Sequence, residues 1–175
     1  KGLFEEFYRF VDDQKPIIGI CNGFQVLTRL GLLPDYKTER TISLTYNSKA
    51  KFIDQWVDLE VQGCHCLWTK GLTSLELPVR HGEGTIVLKS GHENEVSKYL
   101  NDHKLIALKY NVDINGSYDK IAGLTNKSGT ILGLMPHPEA YLYKGLRGQL
   151  KDIKKHSEYG DGFALFKNIS KYIKG

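Results

Sequence analysis

The alternation of apolar and polar positions divides the chain into short elements. Leu3, Phe4, Phe7 and Phe10 share one helical face, which predicts a helix from about Leu3 to Val11. Asp12-Asp13-Gln14-Lys15 reads as a loop, and Pro16-Ile-Ile-Gly-Ile20 is a short apolar run of the kind found in buried parallel strands. The helical period returns from Asn22 to Leu30, with Phe24, Leu27 and Leu30 inward and Gly31 closing the element. Helix, buried strand and helix in succession predict an α/β fold with a mainly parallel sheet flanked by helices.

The pattern then changes. Thr41 to Tyr46, Phe52 to Val61, Cys64 to Trp68 and Thr85 to Leu88 alternate with a two-residue period and predict additional mixed or antiparallel strands. Glu95 to Leu100 reads as a helix and Lys104 to Tyr110 as a strand. A tight turn at Asn115-Gly116 precedes another strand, Lys120 to Thr125. The apolar run Ile131 to Met135 leads directly into Pro136-His137-Pro138-Glu139. A closing amphipathic helix carries Phe163, Phe166, Ile169 and Ile173 toward the sheet. Neither a repeat nor a linker interrupts the pattern, so residues 1–175 are expected to form a single domain. The chain opens inside a helix and without methionine, which reads as an N-terminally incomplete domain.

Composition narrows the function classes. Hydrophobic residues at 41% and charged residues at 25% are ordinary globular values. The net charge of +4 is mild, and no basic stretch has the aromatic interleaving of a nucleic-acid surface. Lys151, Lys154, Lys155, Lys167, Lys171 and Lys174 read as a solvated helical face. No run reaches the length of a membrane span, and the acidic, amphipathic opening is unlike a signal peptide. Three cysteines are too few for a disulfide framework here, so a reduced, cytoplasmic protein is expected.

Two segments carry candidate chemistry. Gly19-Ile20-Cys21-Asn22-Gly23 has the form of a nucleophile elbow, a sharp strand-to-helix turn with cysteine at its apex. Flanking glycines would relieve backbone crowding. The helix N-terminus favours thiolate, and the Asn22 backbone N–H is placed to serve an oxyanion. His137-Pro138-Glu139 supplies a base of suitable pKa with a carboxylate two residues on, able to hold its far ring nitrogen. Both segments follow short apolar strands, whose C-terminal ends share one edge in a parallel sheet. Cys64-His65-Cys66 has the wrong spacing and no second pair for structural zinc, so no metal is expected. His81 and Glu83 stand two apart at a strand end among glycines and could serve a site, an interface or a tight turn, a structural or partner-facing role being favoured. His65, His92, His103 and His156 read as surface or core histidines. Asn115-Gly-Ser117 and Asn126-Lys-Ser128 read as turns.

Gly19-Ile-Cys21-Asn22-Gly23-Phe24-Gln25 and Met135-Pro136-His137-Pro138-Glu139 together resemble the triad motifs of class I glutamine amidotransferases, which have a flavodoxin-like core. Pro78-Val79-Arg80-His81-Gly82-Glu83-Gly84, Asn115-Gly116-Ser117 with Ile121-Ala122-Gly123, Gly31-Leu32-Leu33-Pro34 and the Phe52 to Val61 stretch narrow the match. They resemble the glutaminase subunits of phosphoribosylformylglycinamidine (FGAM) synthases, over essentially the whole chain from Pro16 onward. The resemblance implies hydrolysis of L-glutamine by Cys21, His137 and Glu139 through a glutamyl thioester, with Gln25 helping to hold the substrate. It implies a separate synthetase subunit using ATP and magnesium in purine biosynthesis, a small accessory subunit, and no cofactor on this chain. It also implies a preceding strand and a glycine-rich loop donating a second oxyanion N–H. Ala140 departs from the arginine usual after His-Pro-Glu. A glutaminase of another synthase and a non-catalytic docking module are the competing readings.

Overall fold

A computed structural model of the protein describes residues 2–35, 39–147 and 158–175. Lys151, Lys154, Lys155 and His156 lie outside the described residues. The elements run α1 (Gly2–Asp12), β1 (Ile17–Ile20), α2 (Asn22–Arg29), β2 (Ile42–Tyr46), β3 (Ile53–Val61), β4 (Ser74–His81) and β5 (Glu83–Leu88). They continue with α3 (Glu93–Asp102), β6 (Ile106–Tyr110), β7 (Ile121–Thr125), β8 (Ile131–Leu134) and α4 (Asp161–Lys174).

Six strands form one sheet in the order β1-β8-β7-β6-β3-β4, and β2 pairs with β5 in a separate ribbon. The α/β class holds, but the sheet is mixed rather than mainly parallel. Among the described strands only β1 and β8 run parallel; the other neighbours are antiparallel. The connections explain this. A parallel neighbour needs a long crossover, whereas β7 and β8 are joined by a short loop, residues 126–130, that reverses the chain.

Alternation along β7 and β8 sorts side chains into two apolar layers. Ile121, Leu124, Ile131 and Met135 join Phe24, Leu27 and Leu100 on the face covered by α2 and α3. Ala122, Leu132 and Leu134 join Leu59, Leu77, Leu165 and Ile169 on the face covered by α4. Phe163 and Phe166 are half-buried, but Ile173 is 68% exposed, because α4 outruns the sheet in its last turn.

One further expectation fails locally. Cys64 to Trp68 makes no ladder; Cys64 N–H turns back to the Gln62 carbonyl at 2.7 Å and Trp68 Nε1–H anchors on the Thr130 carbonyl at 2.9 Å. Ser74–His81 is a full strand that accommodates Pro78. Proline is tolerated because β4 is an edge strand, where the missing N–H leaves no ladder bond unmade.

The sheet is strongly coiled. Cys21 N–H bonds the Leu134 carbonyl at 2.8 Å, while His137 N–H bonds Pro78 on β4 at 2.8 Å. In a flat sheet β8 and β4 would stand roughly 19 Å apart at about 4.8 Å per strand. The few residues from Leu134 to His137 span at most about 10 Å. The edge carrying β4 must therefore curl back toward the ends of β1 and β8.

Candidate active site

Cys21 occupies the turn between β1 and α2 with φ 50° and ψ −104°, a conformation sterically disfavoured for any residue with a Cβ. Such strain is on the order of 1–3 kcal/mol and persists only where the surroundings impose it. Gly19 shows how they do. A Cβ there would meet Leu27 Cδ1 at 2.4 Å and the Gly23 carbonyl group at 2.7 Å, so helix and strand touch backbone to backbone. The space beside Gly23 itself is open, so only one of the two flanking glycines is a steric necessity. Gln25 N–H accepts its place in the first turn by donating to the Cys21 carbonyl at 3.2 Å. The N–H of Asn22, as first residue of α2, has no carbonyl to bond within the helix.

His137 leaves β8 and opens a short 3₁₀ turn, Pro138–Tyr141, closed by Ala140 N–H to the His137 carbonyl at 3.2 Å. Beneath it, α4 packs so closely that a Cβ on Gly162 would stand 1.9 Å from the Pro138 carbonyl oxygen. The Nδ1 of His137 lies 2.6 Å from a Glu139 carboxylate oxygen, so Nδ1 carries the proton and Nε2 faces away. Nε2 is buried and forms no hydrogen bond of good geometry. Cys21 is nevertheless near enough that its thiol is the chief influence raising the His137 pKa, with Glu139 adding to it against the opposing effect of burial. Thiol and imidazole thus stand adjacent but not yet bonded, the looser geometry common before a substrate arrives.

Cys21, Asn22, Gln25, His137 and Glu139 line one cavity of about 820 Å³. Gln25 ties α2 to the β4–β5 turn through its amide, Nε2–H to the Glu83 carbonyl at 3.1 Å. His81 and Glu83 line the same cavity, so the site role left open for them gains support over the favoured structural or partner-facing one. The physical reason is the coiling of the sheet, which brings the end of β4 to the nucleophile. Phe52 and Arg80 also reach the cavity. Both stand in segments that carry the family resemblance, but neither side chain signals a site role from the sequence alone. Tyr110 is buried behind the site, where burial and then the Cys21 thiol push its hydroxyl pKa upward.

The remaining sulfur pair is elsewhere. Cys66 is buried; hydrogen bonding with it holds the half-buried Cys64 thiol down to about 6, while Cys64 and burial push Cys66 up. Among the described residues, no three histidine, cysteine or acidic side chains are grouped to hold a metal ion. Nor, among those residues, is any helix long and apolar enough to cross a membrane.

A strained cysteine elbow, a histidine oriented by a carboxylate and a coiled mixed sheet define a class. Residues 1–173 match the CobB/CobQ-like glutamine amidotransferase domain, and the chain belongs to that family. It is similar to phosphoribosylformylglycinamidine synthase subunit PurQ of Methanococcus maripaludis, 39% identical over 154 residues that cover 81% of this chain and 56% of that protein. The same subunit of Archaeoglobus fulgidus is 32% identical over 190 residues, covering 98% of this chain and 68% of the relative. Among solved structures, PurLQS from Thermotoga maritima matches with a TM-score of 0.74 and 31% identity, over 98% of this chain and 68% of the other. The chain thus spans little more than half the length of the Methanococcus relative.

Proposed function

We propose that this chain carries the glutaminase active site of a phosphoribosylformylglycinamidine synthase. Cys21 attacks the side-chain carbonyl of glutamine, and the Asn22 N–H stabilises the oxyanion. His137 passes the thiol proton to the departing nitrogen, so that the C–N bond breaks as the glutamyl thioester forms and ammonia leaves. His137 then takes a proton from water, which cleaves the thioester and releases glutamate. Glu139 holds the tautomer and supports the imidazolium. Gln25 helps seat the substrate.

Ammonia passes to a synthetase subunit that uses ATP and magnesium, in a cytoplasmic complex completed by a small accessory subunit. The observation that carries this reading is the convergence, in one cavity, of a strained Cys21 and a His137 held by Glu139 at 2.6 Å. The names of the relatives, from archaeal PurQ subunits to the PurLQS assembly, support the choice of synthase.

The test is mass spectrometry of the full-length protein, assembled with its synthetase, after treatment with diazo-oxo-norleucine. A stoichiometric adduct on Cys21 is expected. An unmodified Cys21 would leave a docking module without glutaminase chemistry.

A further inference from the structure

The cavity holds a second histidine that the triad does not use. His81 ends β4 and is only 3% exposed. Its Nδ1 lies 3.0 Å from Asn47 Oδ1. The Asn47 amide nitrogen donates to the Lys51 and His81 carbonyls, each at 2.8 Å, which fixes the other amide atom as the acceptor oxygen. Nδ1 of His81 must therefore be the donor, and its Nε2 carries a lone pair.

That Nε2 is buried and has no hydrogen-bond partner. Leaving such a group unpaired is unfavourable by about 1–3 kcal/mol, so a mere space-filling ring would be better apolar. Burial first, and then the charge on His137, hold the His81 pKa down to about 4, so the ring is neutral at physiological pH. The backbone is also cut to fit this ring, since a Cβ on Gly84 would stand 2.6 Å from His81 Nδ1 and 2.9 Å from Met135 Cε. His137 is attached to the same strand, through Pro78, three residues before His81.

We propose that His81 is a positioning residue for the His137 base. Its locked, neutral ring lends the site a lone pair in place of an N–H and so favours the His137 imidazolium that a Cys21 thiolate needs. The proposal rests on the amidotransferase reading of the site. Asn47 acts one step behind, as the lock that forbids the opposite tautomer, which would direct an N–H dipole into the site. The other titratable or charged groups around the cavity are Cys21, Glu139, Glu83 and Arg80. Of these, Cys21 and Glu139 act on His137 in the same sense as the His81 lone pair.

The experiment is the pH profile of Cys21 alkylation by iodoacetamide in the full-length protein with its synthetase, for wild type, His81→Phe, His81→Asn and His81→Gln. Losing the lone pair destabilises the thiolate–imidazolium pair. His81→Phe and His81→Asn should therefore react about threefold to tenfold more slowly near neutral pH, the equivalent of a half to one pKa unit. Above about pH 9 they should converge on wild type, because there the thiolate no longer depends on an imidazolium. His81→Gln, which places an amide oxygen close to the lost Nε2, should recover part of the rate. His81→Asn retains the contact with Asn47 and serves should the phenylalanine variant not fold. Equal slowing at all pH values, or no slowing near neutrality, would overturn the proposal while leaving the triad standing. A wild-type Cys21 unreactive at every pH would overturn the triad, and this proposal with it.

Discussion

Substituting Gly19 and Gly23 separately tests whether the elbow is held by backbone contact. A Cβ at Gly19 meets a flexible leucine methyl at 2.4 Å, which can yield, and the Gly23 backbone at 2.7 Å, which cannot without moving α2. Overpacking of this kind is unfavourable by about 1–3 kcal/mol. Because the clash falls on backbone, the upper part of that range is expected for Gly19→Ala. At about 2–4 °C per kcal/mol for a chain of this size, the melting temperature should fall by roughly 4–12 °C. The displaced helix also relaxes the Cys21 conformation, so alkylation of Cys21 near neutral pH should slow well beyond the loss of folded protein. Gly23→Ala meets nothing within 4 Å and gains helix propensity. It should leave stability unchanged or raise it by up to about 1 kcal/mol. The assays are thermal melting and mass-spectrometric alkylation on the same samples. Wild-type stability and reactivity in Gly19→Ala would refute the contact argument, as would equal damage from both substitutions.

The His137 ring, followed by NMR of labelled histidine, should titrate at lower pH in Cys21→Ala and, by a smaller amount, in Glu139→Gln, since both partners raise its pKa and the thiol is the stronger. Because the folded value is raised, the pair stabilises the fold at low and neutral pH and the contribution fades as pH rises through the folded pKa; both variants should flatten that dependence in pH-resolved melts. Gly162→Ala drives a methyl into the Pro138 carbonyl and should lower glutamine hydrolysis on the order of a hundredfold, through displacement of His137 by an ångström or so. A wild-type rate would show that the turn tolerates the push. Tyr110→Phe removes a buried hydroxyl that lacks a partner and should leave the melting temperature unchanged or raise it by an amount worth up to about 1 kcal/mol; a clear drop would reveal a bond to that hydroxyl.

The parts legible in the sequence were those governed by local rules. The Cys21 elbow shows because a short apolar run, a cysteine and a helical period follow within a few residues. The His137–Glu139 contact shows because the two partners lie in the same turn. What stayed hidden depends on coiling. No periodicity announces that β4 swings round to β8, so the sequence alone does not choose a site role for His81 and Glu83 over a structural or partner-facing one. The tolerance of Pro78 within β4 comes from an edge position that only the finished sheet defines. The mixed direction of the sheet likewise depends on its connections, such as the short loop from β7 to β8, and not on strand composition. At the chain's end, Ile173 kept the apolar period of α4 one turn past the sheet it would cover.

The docking of His137 on β4 also bears on how the protein keeps its own sheet from recruiting other chains. An edge strand presents unpaired main-chain groups that invite pairing with another molecule. On β4 the outward carbonyl of Pro78 is taken by His137, the outward N–H of Glu76 is taken by the Asp161 carboxylate at 2.8 Å, and Pro78 has no N–H to offer. The turn bearing the base and the start of α4 therefore act as the guard of an otherwise open border. Catalytic competence and solubility then fail together: a substitution that frees the His137 turn uncovers a strand able to pair between molecules. Self-association that tracks loss of the active-site turn, and not loss of the core, would be the visible trace of that shared duty.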